Sequence, residues 1–432
     1  MRVKFSLLSL LFLVIPAQVA FAKSSINTLV TLAASERNEE AAPAIAELRA
    51  LGPAGLESLL RAYDSAIANH IANPTLASTP EWQRITTALD AVSQQRNSYL
   101  SGLYWYTDIQ QAQKVSADTG KPILSLRLLG KLTDELSCAN SRFFRTVLYS
   151  NSEISTLLRS RFVLHWQSVR PVPIITIDFG DGRKLERTVT GNSIHYILNS
   201  DGQPLDALPG VYGPQAFARS LANAETLFKS LQGKSEIVKR DFLNEYYRKL
   251  NNKISVGWLN DITKLGVKKP EGVMIEVGNK GEALSIMPLA VTKAITERTI
   301  LRAMTAGSEA LGRVTDEPTW LKIAALHSAD AVLDDRSIAL IKKQNPELEP
   351  KVLSALIEKF QHSVALDTVR NEYRMHTQLL AWLSRDPTRT DIEKFNEKVY
   401  AELFITPRSD PWLGLLMPDT YTAIDNSGVV KY

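Results

Sequence analysis

Cys138 is the single cysteine of a 432-residue chain whose first 22 residues have the pattern of an export signal. A short positive head precedes an apolar run over residues 5–15, and Ala20 and Ala22 form the small-x-small pattern that signal peptidases cleave. We therefore predict a cleaved signal peptide over residues 1–22; an uncleaved N-terminal anchor is the alternative. One thiol cannot form an internal disulfide in an oxidising compartment, so stability must come from packed cores.

Charge, the lengths of apolar runs and the spacing of histidines argue against several classes of protein. Removing the signal takes away two of the 50 Lys and Arg residues, which leaves a small excess over the 46 Asp and Glu residues. No basic run of five or more residues occurs, which argues against a nucleic-acid partner. No segment after the signal has the roughly 18 consecutive apolar residues of a membrane span. The six histidines lack metal-ligand spacing, so we predict no metal and no other cofactor.

The hydrophobic pattern divides the remaining chain into three regions. Residues 23–103 have apolar residues at helical spacing, interrupted by Gly52 and Pro53, which predict a helix stop and restart. Residues 104–233 alternate between helical and strand patterns. Residues 234–432 are mostly helical in pattern and end in a tail rich in Pro and aromatic residues, which we expect to wrap the protein in an ordered way.

The middle region carries strand and hairpin signals in a definite order. A helix that Gly120 ends precedes the alternating strand "PILSLRLL", and two further helices lead to the strand "FVLHWQSV". Two alternating runs around "GDG" predict a hairpin, and "SIHYILN" with "PLDALPG" predicts a second one. A helix then begins near Pro214. The region should be a mixed sheet flanked by helices.

This order of elements resembles the thioredoxin-like fold over about residues 105–231. "AQKVSADTGKPILSLRL" is similar to the entry helix and central strand of that family. "CANSRFFRTVLYSNSEISTLLRSRFVLHWQSV" is similar to its C-x-x-C helix and the helix and strand that follow, and "YILNSDGQPLDALPG" to its closing hairpin. The resemblance implies an α/β thioredoxin-like domain between mostly α-helical N- and C-terminal regions.

The residues at the family's redox site differ from the family pattern. Cys138 matches the nucleophilic cysteine, but Ser141 stands at the position of the resolving cysteine, so the motif is C-A-N-S. Ser137 replaces the usual tryptophan, and Ser193 falls at the position of the cis-proline. The resemblance therefore implies no dithiol chemistry.

Cys138 has two interpretations from sequence. At the first turn of a helix, backbone N–H groups favour a thiolate, and Arg142 would add to this effect. Asn140 and Ser141 would then orient the thiolate. Such a thiolate attacks a client disulfide but needs an external thiol to release the adduct. The alternative is a buried, inert thiol.

Three other residues are predicted neighbours of this site. His165 lies in the strand expected beside the central one, and Ser193 and His195, two residues apart, share one strand face. We interpret them as core residues that form local hydrogen bonds, since no nucleophile elbow accompanies the Ser-His pair.

The sequence leaves three classes of function open. The first is an exported, periplasmic or secreted protein that binds or assembles with a protein partner through the Cys138 region. The second is a monothiol thiol-disulfide oxidoreductase or isomerase in which Cys138 is the nucleophile. The third is a helical scaffold. The pattern does not name a client or an oligomeric state.

Overall fold

The structure, a computed structural model, is of the mixed α/β class. The predicted signal peptide and the C-terminal tail from residue 410 onward lie outside the residues that it describes. Those residues are 25–73, 76–188, 191–267, 311 and 314–409.

The N-terminal region is a group of helices with its own apolar core. The predicted stop and restart is confirmed, because one helix ends at Ala50 and the next begins at Pro53, with Gly52 at a positive φ of 69° between them. Their apolar stripes meet around Leu48 and Leu59, which are both buried. The helices of this region are Ile26–Ala33, Asn38–Ala50, Pro53–Ala62, Asp64–Ala72 and Pro80–Ser93.

A four-stranded mixed sheet forms the centre of the protein. Its strand order is β2-β1-β5-β6, with β1 and β2 parallel and the other pairs antiparallel. Both predicted hairpins are confirmed: β5 pairs with β6, and β3 pairs with β4 in a separate two-stranded sheet. The strands are β1 Ile123–Leu129, β2 Val163–Arg170, β3 Ile174–Asp178, β4 Lys184–Thr188, β5 Ser193–Leu198 and β6 Pro204–Pro209.

Helices before, between and after the strands complete this central region. Parallel β1 and β2 require a crossover, which two helices and a π-helical turn provide. Asp108 caps the first helix of the region, Gly120 ends it at a φ of 63°, and Asn151 caps the helix that leads into β2. The helical segments are Ile109–Thr119, Ala139–Phe143, the π-helical turn Phe144–Leu148, Ser152–Arg161 and Pro214–Leu231.

Both faces of the sheet are covered. On one face, Arg127 of β1 forms an ion pair with Glu393 at 2.7 Å, and the Tyr196 hydroxyl donates to Asn396 at 3.2 Å. A helix from the far end of the chain therefore packs on this face. On the other face, the ring of His195 contacts Phe144, with ring centroids 4.6 Å apart, which brings the helix after Cys138 against the sheet.

Most of the C-terminal helices share one apolar core with the sheet, whereas Leu340 of the helix Asp335–Gln344 packs in the N-terminal core. In the part of the chain that is described, no helix has the length and apolar character that crossing a membrane requires. The helical segments are Glu236–Lys264, Glu317–Leu326, Asp335–Gln344, Pro350–Arg370, the π-helical turn Asn371–His376, Thr377–Leu383, Ile392–Lys398 and the π-helical turn Val399–Leu403.

A buried polar cluster joins these helices to β6. His376 bonds through Nδ1 to Glu372 at 2.9 Å and through Nε2 to Asp206 at 2.8 Å. The hydroxyl of Tyr246 donates to the second oxygen of Asp206 at 2.8 Å. Burial alone would lower the pKa of His376, but the charges of Glu372 and Asp206 outweigh it and raise that pKa to about 10.

A second polar cluster lies one turn away on the same π-helical segment. The hydroxyl of Tyr373 donates to Asp261 at 2.6 Å, and His327 bonds to the same carboxylate oxygen through Nε2 at 2.6 Å. The hydrogen bonds of His327 to Asp261 and Asp330 raise its pKa to about 9. The two clusters tie the C-terminal helices to one another and to the sheet.

Candidate functional site

Cys138 caps the short helix Ala139–Phe143, which begins after β1 and a loop. Its φ and ψ are −56° and 157°, and its sulfur accepts the backbone N–H of Ser141 at 3.4 Å. Sulfur thus takes the place that an oxygen of Ser, Thr, Asp or Asn more often takes at a helix start. The side chain is 0% exposed, so a reagent or client cannot reach the sulfur without local opening.

The polar residues around Cys138 bond to one another. The Ser137 hydroxyl donates to Ser141 at 2.9 Å, and the Asn140 side-chain amide donates to the hydroxyl of Ser193 at 2.8 Å. All four side chains are buried. The structure therefore places Asn140, Ser141 and Ser193 in one hydrogen-bonded group next to Cys138, and the orientation of a thiolate by Asn140 and Ser141 stays a prediction.

The two arginines of the following turn have different roles. The guanidinium of Arg142 donates to the hydroxyl of Thr188, at the end of β4, at 3.0 Å. Arg145 is the buried one: it donates to Ser137 at 3.0 Å and interacts electrostatically with Cys138. Burial, together with the charge of Arg96, lowers the pKa of Arg145 to about 10. Arg145 thus contributes the positive charge at Cys138.

The two histidines form separate hydrogen bonds in the sheet. His165 bonds through Nδ1 to Ser125 at 2.8 Å, and His195 bonds through Nε2 to the hydroxyl of Tyr149 at 2.7 Å. Burial lowers the pKa of each to about 3, with a further contribution at His165 from the charge of Arg127. Both are therefore neutral at pH 7. Ser193 is bonded to Asn140, which supports our interpretation of these residues as core residues with local bonds.

Tyr400, from the C-terminal π-helical turn, was missed by sequence reasoning. Its hydroxyl donates to the carbonyl of Asn192 at 3.2 Å, and the ring is buried. Burial raises the pKa of this hydroxyl well above its usual value, and the charge of Cys138 adds to the increase. Tyr400 therefore lies near the Cys138 region. The helical spacing of Phe395, Val399 and Leu403 was the available signal, but it did not indicate which surface they cover.

The hairpin of β3 and β4 stands beside this buried region and is exposed. Val172, just before β3, packs next to Gly130 after β1, and Arg142 donates to Thr188, which pairs with Ile174 at the same open end of the hairpin. Between these two anchors every residue of β3 is exposed. The hairpin beside Cys138 is thus exposed to solvent, whereas the thiol itself is buried.

Metal ligation has no support in the part of the chain that the structure covers, where no group of three His, Cys, Asp or Glu side chains is arranged to hold an ion. Comparisons of the chain with protein-family models, with curated proteins and with solved structures gave no match.

Proposed function

We propose that residues 104–233 form a thioredoxin-like domain without a dithiol site, in an exported protein that binds or assembles with a protein partner through the Cys138 region. Four features support the fold assignment. A parallel pair, β1 and β2, is followed by an antiparallel hairpin in one sheet, the Cys138 helix begins after β1, and a long helix follows the last strand. Helices lie on both faces.

The observation that carries the binding function is the contrast between Cys138 and its surroundings. The thiol is buried and caps its own helix, while the adjoining hairpin exposes every residue of its first strand. A nucleophile must be reached by its substrate. An exposed hairpin fixed to the Cys138 helix through Arg142 and Thr188 is suited to holding a partner.

A monothiol oxidoreductase is the second candidate, and one observation favours it. The backbone N–H of Ser141 points at the sulfur, an arrangement that stabilises a thiolate once the site opens. An external thiol would have to complete the exchange, because serine stands at position 141.

Alkylation of Cys138 separates these two functions. We expect the native protein to react with iodoacetamide at pH 8 at least about 100-fold more slowly than the protein in urea, because labelling must wait for local opening. Mass spectrometry measures the extent of labelling, with Cys138→Ser as the blank. Fast labelling of the native protein, with a pH midpoint well below about 8.5, would contradict the binding proposal and favour the monothiol enzyme.

A further inference from the structure

We propose that the hairpin Ile174–Thr188 docks an extended segment of a protein partner that alternates apolar side chains and carries a carboxylate. This inference rests on the binding function proposed above and specifies the chemistry of the partner. The hairpin is an exposed part of the Cys138 region.

The register of the hairpin separates its side chains into two faces. Ile177 pairs with Leu185, and Ile175 pairs with Arg187, so these four side chains share one face. Phe179 continues that face, since its N–H donates to the carbonyl of Arg183 at 3.1 Å. We call Ile175, Ile177, Phe179 and Leu185 the apolar face. The opposite face has Ile174, Thr176, Asp178, Lys184, Glu186 and Thr188.

Exposure of the apolar face costs free energy. Ile175, Ile177 and Phe179 are 41%, 45% and 53% exposed. An isolated two-stranded hairpin is at best marginally stable in water, and a third strand or a covering layer stabilises it. Within the described residues, β3 and β4 pair only with each other, so each has an outer edge of backbone N–H and C=O groups available. An added strand would satisfy that edge and cover the apolar side chains together.

The charges on the hairpin favour a carboxylate in the partner. Arg183 is held by Asp181 at the turn, at 2.7 Å, and Lys184 by Asp178 on the opposite face, at 3.3 Å. Arg187 is exposed on the side of the apolar face, opposite Ile175, at the end nearest the Cys138 helix. None of the strand residues on that side is acidic. A carboxylate in the partner would pair with Arg187 there.

The same charges disfavour two other occupants. A second copy docked face to face with its strands in the same direction would bring one Arg187 towards another, and like charges that face each other are destabilising. A polyanionic lipid surface would meet Asp178, Asp181 and Glu186 as well as the arginines, so the hairpin has no net positive charge to attract it.

Two synthetic peptides test the proposal on the whole protein. One is a dye-labelled nine-residue peptide that alternates Val and Thr and has Glu at one end, and the other has Lys in place of Glu. Fluorescence anisotropy measures binding. We expect the Glu peptide to bind about tenfold more tightly than the Lys peptide, and Arg187→Glu to reverse that preference.

Matched variants locate the binding to one face. Ile177→Thr should weaken binding of the Glu peptide about tenfold, which is the size expected from one lost apolar contact. Ile174→Thr makes the same change on the opposite face, at an exposure of 48%, and should leave binding nearly unchanged. Both positions are exposed, and circular dichroism checks that the variants are folded.

Several results would overturn the inference. No binding of either peptide, equal binding of both, or an equal loss of binding in the two isoleucine variants would each do so. Self-association of the protein that only Ile177→Thr abolishes would make a second copy the occupant. Peptide binding that appears only after residues 410–432 are removed would make the chain's own tail the occupant. Slow Cys138 labelling combined with no peptide binding would end this inference alone, whereas fast labelling would end the proposed function.

Discussion

We expect the free energy of unfolding to be greatest near pH 6.5 and to decrease on both sides. Four buried or half-buried histidines divide into two pairs with opposite shifts from the ordinary pKa of 6.5. His376 and His327 are held as cations by carboxylates, whereas burial keeps His165 and His195 neutral.

The decrease in the free energy of unfolding at alkaline pH comes from the two cationic histidines, His376 and His327. The folded pKa values of His376 and His327, about 10 and about 9, lie above the unfolded value of 6.5. Their contribution is therefore complete below pH 6.5 and is lost as the pH rises through 9 to 10. At the fully buried His376, the loss should be on the order of a few kcal/mol.

The decrease in the free energy of unfolding at acid pH comes from the two neutral histidines, His165 and His195. The folded pKa values of His165 and His195, about 3, lie below 6.5, so the unfolded chain binds protons first as the pH falls. Their contribution is complete above pH 6.5 and is lost between 6.5 and about 3. His195 should again account for a few kcal/mol.

Urea unfolding, followed by circular dichroism from pH 4 to pH 9.5, measures this profile. His376→Gln should flatten the alkaline side and leave the acid side in place, and His195→Gln should do the opposite. A stability that is level between pH 5 and pH 9, or a variant that changes both sides equally, would contradict the assignment of the two pairs.

The second large effect is expected from Asp206. Asp206→Ala should lower the free energy of unfolding by about 3–5 kcal/mol, because it leaves the His376 cation buried with Glu372 as its remaining carboxylate and takes away the acceptor of Tyr246. Asp206→Asn keeps part of the hydrogen bonding and should cost less.

Equilibrium unfolding at pH 6.5 tests this prediction. Asp201→Ala is the matched control, since Asp201 is an exposed aspartate in the turn between β5 and β6, and it should have little effect. A loss below about 1 kcal/mol for Asp206→Ala would indicate that the cluster contributes little to stability.

Local signals in the sequence predicted the elements of the central region well. Alternating runs around "GDG" and "SDG" indicated both hairpins, and Gly120 and Pro214 marked helix ends that the structure confirms. These signals work because turn and cap geometry depends on a few adjacent residues. The order of elements also predicted that Cys138, Asn140 and Ser193 lie close together, since that order fixes where the helix and the strand are placed.

The contacts of the C-terminal helices with the sheet and the Cys138 region could not be predicted in the same way. Arg127 is the one charged residue of β1, and its partner Glu393 is in a helix whose pattern shows an apolar stripe but not the surface that it contacts. Tyr400 near Cys138 and the bonds of Asp206 to His376 are also long-range contacts between separate segments. Helical spacing does not encode which distant segment a helix meets.

The ion pair between Arg127 and Glu393 has a consequence for how the chain reaches its fold. The guanidinium is 1% exposed at the centre of the sheet, and its carboxylate lies 266 residues further along. The helix that carries Glu393 also covers this face of the sheet, so the guanidinium stays in water until that helix packs. The charge and its carboxylate are therefore buried in one step, and because this contact joins segments far apart in the chain, we expect the sheet to complete its packing late and slowly in folding.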